Sequence, residues 1–344
     1  MHQIENTLYV MTQGAYAHLE NDTVRIDVER EKRLQVPLHH VGALVCFGNV
    51  LVSPFLIHRC AEEGKAVVLL SQGGRFKARI EGPVSGNILL RQAQYRGAAD
   101  PKWCLGIARA MIAGKIKNSR QILMRGAREA AAEKDSTALG VTAEQLANAL
   151  RRVPHAADLD ELRGIEGESA KNYFGSVSLL LRADARGEFA LDGRTRRPPR
   201  DRINALLSFL YAMLMNDCRS AVEATGLDPQ LGFLHAVRPG RASLALDLME
   251  ELRAWAADRL ALTLINRGQI QSTDFDEHEG GAVLLNEKGR KAVVVAYQER
   301  KQEAVMHPLL EKTVPIGVIP FLQARYLART LRGDMEGYLP FVVR

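Results

Sequence analysis

Cysteine is scarce in this chain, and its four copies, Cys46, Cys60, Cys104 and Cys218, are widely spaced. No pair has zinc-site spacing, and apolar or helical surroundings argue against a disulfide framework. Reduced thiols in a cytoplasmic protein are expected. Long apolar runs are missing too. The strongest, Ala205 to Met215, falls short of the roughly 20 residues of a membrane span and carries Ser208 and Tyr211. The start, Met1 to Asn6, lacks the basic and apolar regions of a signal peptide. The sequence contains no Walker phosphate loop, no dinucleotide-binding glycine fingerprint and no His-Glu-x-x-His zinc motif. Gly-x-Ser-x-Gly is absent as well, which removes the α/β-type serine hydrolases. No repeat or low-complexity tract occurs.

What is present is an ordinary globular composition, 47% hydrophobic and 25% charged, over 344 residues. That length accommodates two domains, each with its own core. Lys and Arg outnumber Asp and Glu by 46 to 40, a net charge of +6. Such an excess favours a polyanionic partner without requiring one. Arg194, Arg196, Arg197, Arg200 and Arg202 fall close together, and Lys115, Lys117 and Arg120 form a second group. Either group alone reads equally well as a solvated loop or face.

The first part of the chain, residues 1–85, reads as strands and turns. Thr7 to Val10 and Ala15 to Leu19, separated by Thr12-Gln13-Gly14, suggest a hairpin. Thr23 to Val28 alternates apolar and polar residues, as a strand with one wet face does. Val41 to Phe47 and Ala66 to Leu70 are apolar strand candidates. Ser53-Pro54 opens a short helix through Cys60, and Gly73-Gly74 and Gly82-Pro83 supply turns. Beyond Ser85 the period becomes helical, with helices expected over 88–96, 101–132, 143–151, 159–182, 201–225, 242–266 and 321–332. One further hairpin is expected, Gly281 to Leu285 and Lys291 to Tyr297 around Asn286-Glu287-Lys288-Gly289. The fold class predicted is α+β: a small sandwich-like β domain over 1–85 and a larger, mainly α-helical domain over 86–344.

Chemistry is suggested by carboxylates and one histidine in two distant stretches. Leu244, Leu248, Leu252 and Trp255 form an apolar stripe, while Asp247 and Glu250 share another face beside Glu251. Acidic residues so close repel unless a cation lies among them, although a solvated acidic face is the commoner explanation. His235 follows the apolar Leu231 to Leu234 and precedes the tight basic turn Arg238-Pro239-Gly240-Arg241, which would fold it back onto the next helix. Glu166 stands between Gly164 and Gly167 near the start of a long helix, where Glu166 and Glu168 also suit the helix dipole. Oxygen ligands with one imidazole suit Mg²⁺ or Mn²⁺. His39-His40 has no carboxylate partner nearby and reads as turn or packing. Asp274, Asp276, Glu277, His278 and Glu279 lack EF-hand spacing and read as a solvated loop.

At these residues the chain resembles the CRISPR-associated endonuclease and integrase family, Cas1. The resemblance lies in Glu166-Gly167 with Ala170 and Tyr173-Phe174, then Arg197-Pro198-Pro199-Arg200 leading to Asn204 to Ser208. It continues through Gly226-Leu227-Asp228-Pro229, the Gly-Phe-Leu-His ending at His235, and Ser243 to Glu250. Pro37 to His40, Cys46-Phe47-Gly48, Gly74-Arg75-Phe76 and Gly82 to Asn87 resemble the subtype I-C branch. The resemblance implies Glu166, His235 and Glu250 as ligands of Mg²⁺ or Mn²⁺, with Asp247 an acidic neighbour in the same catalytic site. Many members carry aspartate where Glu250 stands, so the shares of Asp247 and Glu250 stay open here.

The same resemblance implies CRISPR adaptation: a DNA 3′-hydroxyl attacks a repeat phosphodiester, and water in its place gives nuclease activity. It further implies a homodimer through the β domain, two such dimers clamping a Cas2 dimer in a heterohexamer on double-stranded DNA, and no membrane. Arg194, Arg196, Arg197, Arg200, Arg238 and Arg241 are the expected phosphate contacts. Two alternatives remain at this stage: a DNA-binding scaffold without catalysis, and a repair nuclease acting on branched DNA from the same site.

Overall fold

The computed structural model describes residues 6–74, 76–80, 82, 88–191 and 193–343, with the side chain of Asn6 left aside. The turn expected at Gly82-Pro83 and the boundary expected at residue 85 fall on or beside Pro83 to Asn87, outside the described residues. Contacts divide the chain into two compact units. One comprises residues 1–85 and 285–298, the other 86–284 and 299–344.

The first unit holds two four-stranded sheets. Its strands are β1 (Asn6–Val10), β2 (Ala15–Glu20), β3 (Thr23–Val28), β4 (Glu31–Pro37), β5 (Val41–Phe47), β6 (Val50–Val52), β7 (Ala66–Leu70) and β8 (Phe76–Ile80). One sheet has the order β1-β5-β7-β8 and the other β4-β3-β2-β6. Ala15, Ala17, Val24 and Ile26 from the second sheet share a core with Val10, Leu44, Cys46 and Val67 from the first. Helix α1 (Pro54–Glu62) adds Leu56 and Cys60 to that core. Its start follows the expected chemistry, with Ser53 accepting from the Leu56 N–H at 3.2 Å and Pro54 in the first turn.

The hairpin expected from Thr7 to Leu19 does not form. β1 instead runs parallel to β5, and β2 pairs with β3 and β6 in the other sheet. The apolar β5 is buried along nearly its whole length and needs a neighbour on each side. Gln13 fixes the crossing between sheets, donating to the carbonyls of Met11 and Phe47 and accepting from the Asn49 N–H.

The second unit is mainly helical: α2 (Ile88–Ala99), α3 (Pro101–Glu129), α4 (Glu133–Arg152), α5 (Leu159–Ser176), α6 (Arg202–Ala224), α7 (Ser243–Glu250) and α8 (Arg259–Asn266). Two short strands follow, β9 (Phe275–His278) and β10 (Ala282–Leu285), then α9 (Glu287–Gln302), which runs from the first unit into the second. β11 (Ala304–His307), β12 (Lys312–Pro315) and α10 (Ile319–Leu331) complete the chain. The long α3 is capped by Asp100 and begins with Pro101; it packs against α4, α5 and α7. α6 is buried along most of its length and packs against α7 and α10.

Three expectations are corrected here. The helix expected over 242–266 is broken into α7, a π-helical stretch Arg253–Asp258, and α8. The hairpin expected over 281–297 is replaced by a β9–β10 pair followed by α9. Asn286 acts as a helix cap, its side-chain oxygen accepting from the Gly289 N–H at 3.0 Å, and capping outcompetes the turn those residues could also make. Part of the expected acidic loop is therefore strand β9. All four cysteines are buried and unpaired with one another. Among the described residues, no helix is long and apolar enough to cross a membrane.

Candidate metal centre

Asp247 organises this site from below. It is fully buried in α7, and its two oxygens take four hydrogen bonds. Oδ2 accepts the backbone N–H groups of Phe233 (2.6 Å) and Leu234 (3.0 Å); Oδ1 accepts that of His235 (3.0 Å) and faces His235 Nδ1 at 2.6 Å. A carboxylate so occupied has little left for an ion and serves to aim the imidazole. Gly232 permits the approach, since a Cβ there would lie 2.5 Å from Asp247 Oδ2 and 2.9 Å from the Ser243 carbonyl carbon. The left-handed Gly240 closes the turn that brings residues 232–235 back over α7.

With Nδ1 committed to Asp247, His235 Nε2 faces Glu250 Oε1 at 3.7 Å. Glu250 ends α7 and is only 3% exposed. Arg253, three residues on, reaches Glu250 Oε1 at 2.9 Å. Lys115 Nζ, from the middle of α3, lies 2.7 Å from Glu250 Oε2. That approach is ionic: Oε2 is buried and receives no aligned hydrogen bond. Lys115 also pairs with Glu166 Oε1, delivered by α5, whose first turn is capped by Asp158. Burial alone would raise the Glu250 carboxyl, but Arg253, Lys115 and His235 outweigh it and hold the group at about 2.

Glu166, His235 and Glu250, distant in sequence, are thus drawn to one place. They are not closed round a common centre. Among the described residues no three acidic, thiol or imidazole groups are close enough to wrap an ion by themselves, and here the Lys115 ammonium stands between two of them. The donor set still suits a hard divalent ion: an anionic oxygen without an aligned donor, a second carboxylate, and an imidazole nitrogen oriented by a buried aspartate.

A pocket adjoins the site, lined by Lys115, Ser169, Tyr173, Arg196, Arg253 and Asp258 among others. Tyr211, also in its wall, donates to Asp258 Oδ1 at 2.6 Å, and the guanidinium carbons of Arg194 and Arg253 each lie 5.2 Å from its ring centroid. Burial pushes the Asp258 carboxyl up to about 6, with the Tyr211 hydrogen bond opposing the rise.

The basic residues divide. The Arg194 guanidinium donates to Asn204 Oδ1 (2.6 Å), Ser208 Oγ (3.1 Å) and the Thr195 carbonyl. It braces the start of α6. Arg196, Arg197, Arg200 and Arg238 are exposed, and Arg241 is half-buried. Of the acidic group at 274–279, Asp274 caps its own turn through the Gln271 N–H, while Asp276 to Glu279 are exposed at the β9–β10 tip. Glu251, beside Glu250, points elsewhere: it accepts from Tyr338 Oη (2.6 Å), Gln323 Nε2 (3.0 Å) and the Phe341 N–H (3.0 Å). Lys115 and Arg253 are the site residues that sequence reasoning missed. The i, i+3 spacing of Glu250 and Arg253 was a usable signal. A lysine among buried Met111, Ile112 and Ile116 was another.

The profile of the family described as CRISPR associated protein Cas1 matches residues 8–299, most of the chain. The chain belongs to the Cas1 family. The CRISPR-associated endonuclease Cas1 1 of Moorella thermoacetica is 54% identical over 344 residues, 100% of each chain. Cas1 2 of Rhodospirillum rubrum, likewise named an endonuclease, is 49% identical over 99% of each. The Cas1 fold extends to solved structures. A Cas1 protein from Thermotoga maritima superposes with a TM-score of 0.80 at 23% identity, over 95% of this chain and 97% of that one. A casposase bound to integration product gives 0.82 at 23% identity, over 97% and 92%. Cas1 membership makes the chain a CRISPR-associated nuclease, of the α+β architecture expected from its sequence.

Proposed function

We propose that this Cas1 is the integrase and endonuclease of CRISPR adaptation, with Glu166, His235 and Glu250 holding Mg²⁺ or Mn²⁺ beside bound DNA. The observation that carries this reading is the convergence of these three side chains on one spot that already demands positive charge. When bound, a divalent ion there supplies Lewis acidity, lowering the pKa of the attacking hydroxyl or water and offsetting charge on the phosphoryl oxygen.

The protein's own share is orientation and charge balance. Asp247 holds His235 so that Nε2 faces the site, and Arg253 stays on Glu250 as a permanent counter-charge. Arg196, Arg197, Arg200, Arg238 and Arg241 grip phosphates, which makes affinity strongly salt dependent. In strand joining the 3′-hydroxyl oxygen forms one phosphorus–oxygen bond as the bond to the leaving 3′ oxygen breaks. The hydroxyl proton is passed on to that leaving oxygen or to solvent, and no external energy is consumed. Water as nucleophile gives cleavage instead.

The assembly proposed is a homodimer through the β unit, two dimers flanking a Cas2 dimer as a heterohexamer on double-stranded DNA in the cytoplasm. Exposed Tyr16, Leu51 and Phe55, with Tyr16 and Leu51 paired across β2 and β6, offer that unit an apolar contact surface. The motifs shared with the subtype I-C branch support placement there.

Strand joining and cleavage, measured with Mn²⁺ and with EDTA, test the reading. Both activities are expected to require the ion and to vanish in Glu166→Ala and His235→Ala while DNA binding survives. Full activity in either variant removes that residue from the site. DNA binding indifferent to EDTA, with no joining under any condition, would favour a scaffold.

A further inference from the structure

Lys115 is placed where a lysine is unusual: half-buried in the middle of a helix whose adjacent residues, Gly114 and Ile116, are buried, and contacting two carboxylates from two other helices. We propose that Lys115 is a built-in, exchangeable occupant of the ion site, holding Glu166 and Glu250 together until a divalent ion takes over that role. The proposal rests on the reading of Glu166, His235 and Glu250 as an ion site.

The two cations on Glu250 differ in the way this role requires. Arg253 sits on Oε1 with a planar guanidinium whose position is also fixed over the Tyr211 ring. Lys115 approaches Oε2 as a point charge at the end of a flexible stem, while donating to Glu166 Oε1. The first is fixed by the ring it lies over; the second is shared between two carboxylates and can swing on its stem. Two carboxylates balanced by Lys115 and Arg253 leave little net charge, so adding a divalent ion while keeping both cations would crowd positive charge. Ejecting the ammonium, whose stem lets it swing away as the ring-bound guanidinium cannot, relieves that. The pocket beside the site gives it somewhere to go, since Lys115 already lines this pocket with Ser169, Tyr173 and Asp258. There it would stand ready for a substrate phosphate.

The test is calorimetric titration of MnCl₂ into the full chain, paired with thermal melting in EDTA and in Mn²⁺, for wild type, Lys115→Met and Lys115→Gln. Removing the ammonium should tighten Mn²⁺ binding by about tenfold, equivalent to ~1.4 kcal/mol of relieved competition. It should also lower the melting temperature in EDTA and enlarge the upward shift on adding Mn²⁺. Lys115→Gln covers the case in which the apolar variant does not fold. Wild-type Mn²⁺ binding that is unchanged or weakened in both variants overturns the proposal and leaves the ion site standing. Absence of Mn²⁺ binding in the wild type and in both variants overturns the ion site itself, and this inference with it.

Discussion

His235 Nδ1 and Asp247 Oδ1 lie 2.6 Å apart, and the same carboxylate takes the backbone N–H groups of Phe233, Leu234 and His235. One buried aspartate therefore fixes both the loop and the ring it carries. Asp247→Asn keeps the volume but puts an amide N–H₂ against donors on one of its two sides. Mn²⁺ affinity should fall roughly 10- to 100-fold, the usual effect of losing such a supporting contact. Titration calorimetry checks this, and wild-type affinity in the variant would show that the loop holds His235 unaided.

Glu166 and Glu250 should separate when stability is measured beside activity. The Glu166 side chain is 28% exposed, so Glu166→Ala should alter unfolding free energy by only about 1 kcal/mol, as partly exposed ion pairs do. Glu250 is 3% exposed and faces both Arg253 and Lys115. Glu250→Ala strands those charges and should cost about 3–5 kcal/mol. Both variants should lose strand joining. Denaturant unfolding decides the matter, and equal costs for the two would contradict this account of the pair.

Gly232→Ala forces a methyl group to within 2.5 Å of Asp247 Oδ2, so either the loop or the aspartate must move. Overpacking of this kind costs about 1–3 kcal/mol. The melting temperature should drop and Mn²⁺ binding should weaken together. A variant as stable as the wild type would mean that the loop yields freely.

Asp258 gives a pH dependence. Its carboxyl is raised from 3.8 to about 6 by burial, so the folded state binds its proton more tightly than the unfolded chain. The favourable contribution is complete below the unfolded value near 3.8 and is lost as pH rises through about 6. The shift corresponds to about 3 kcal/mol as an order of magnitude. Asp258→Asn still accepts from Tyr211 but cannot titrate. Melting temperatures between pH 4 and 7 should slope less in the variant, and an unaltered slope would assign the dependence to another group.

Much of this architecture could be read from residue order. The periods of 2 and 3.6 separate the β unit from the helices, and the N-cap before α1 lies where Ser53 and Pro54 place it. The misreadings have a common cause. Thr12 to Gly14 and Asn286 to Gly289 both have turn composition, and composition does not say which distant strand or helix competes for the flanking residues. At the site, ordered motifs pointed to Glu166, His235 and Glu250, but charge counting placed Lys115 with exposed Lys117 and half-buried Arg120. Only the packing of α3 against α5 and α7 reveals that its ammonium belongs between two carboxylates. The engagement of Arg194 with Asn204 and Ser208 likewise arises from the fold of its loop, which residue order alone does not show.

Residues 285–298 belong with residues 1–85 rather than with the helices that surround them in sequence, and Gln298 donates to the Thr7 carbonyl at 3.0 Å. Neither unit can therefore be cut out as one unbroken stretch of polypeptide. A fragment ending near residue 85 would lose most of α9 and expose whatever surface that helix covers, so recombinant work on the β unit alone calls for grafting the later segment back on.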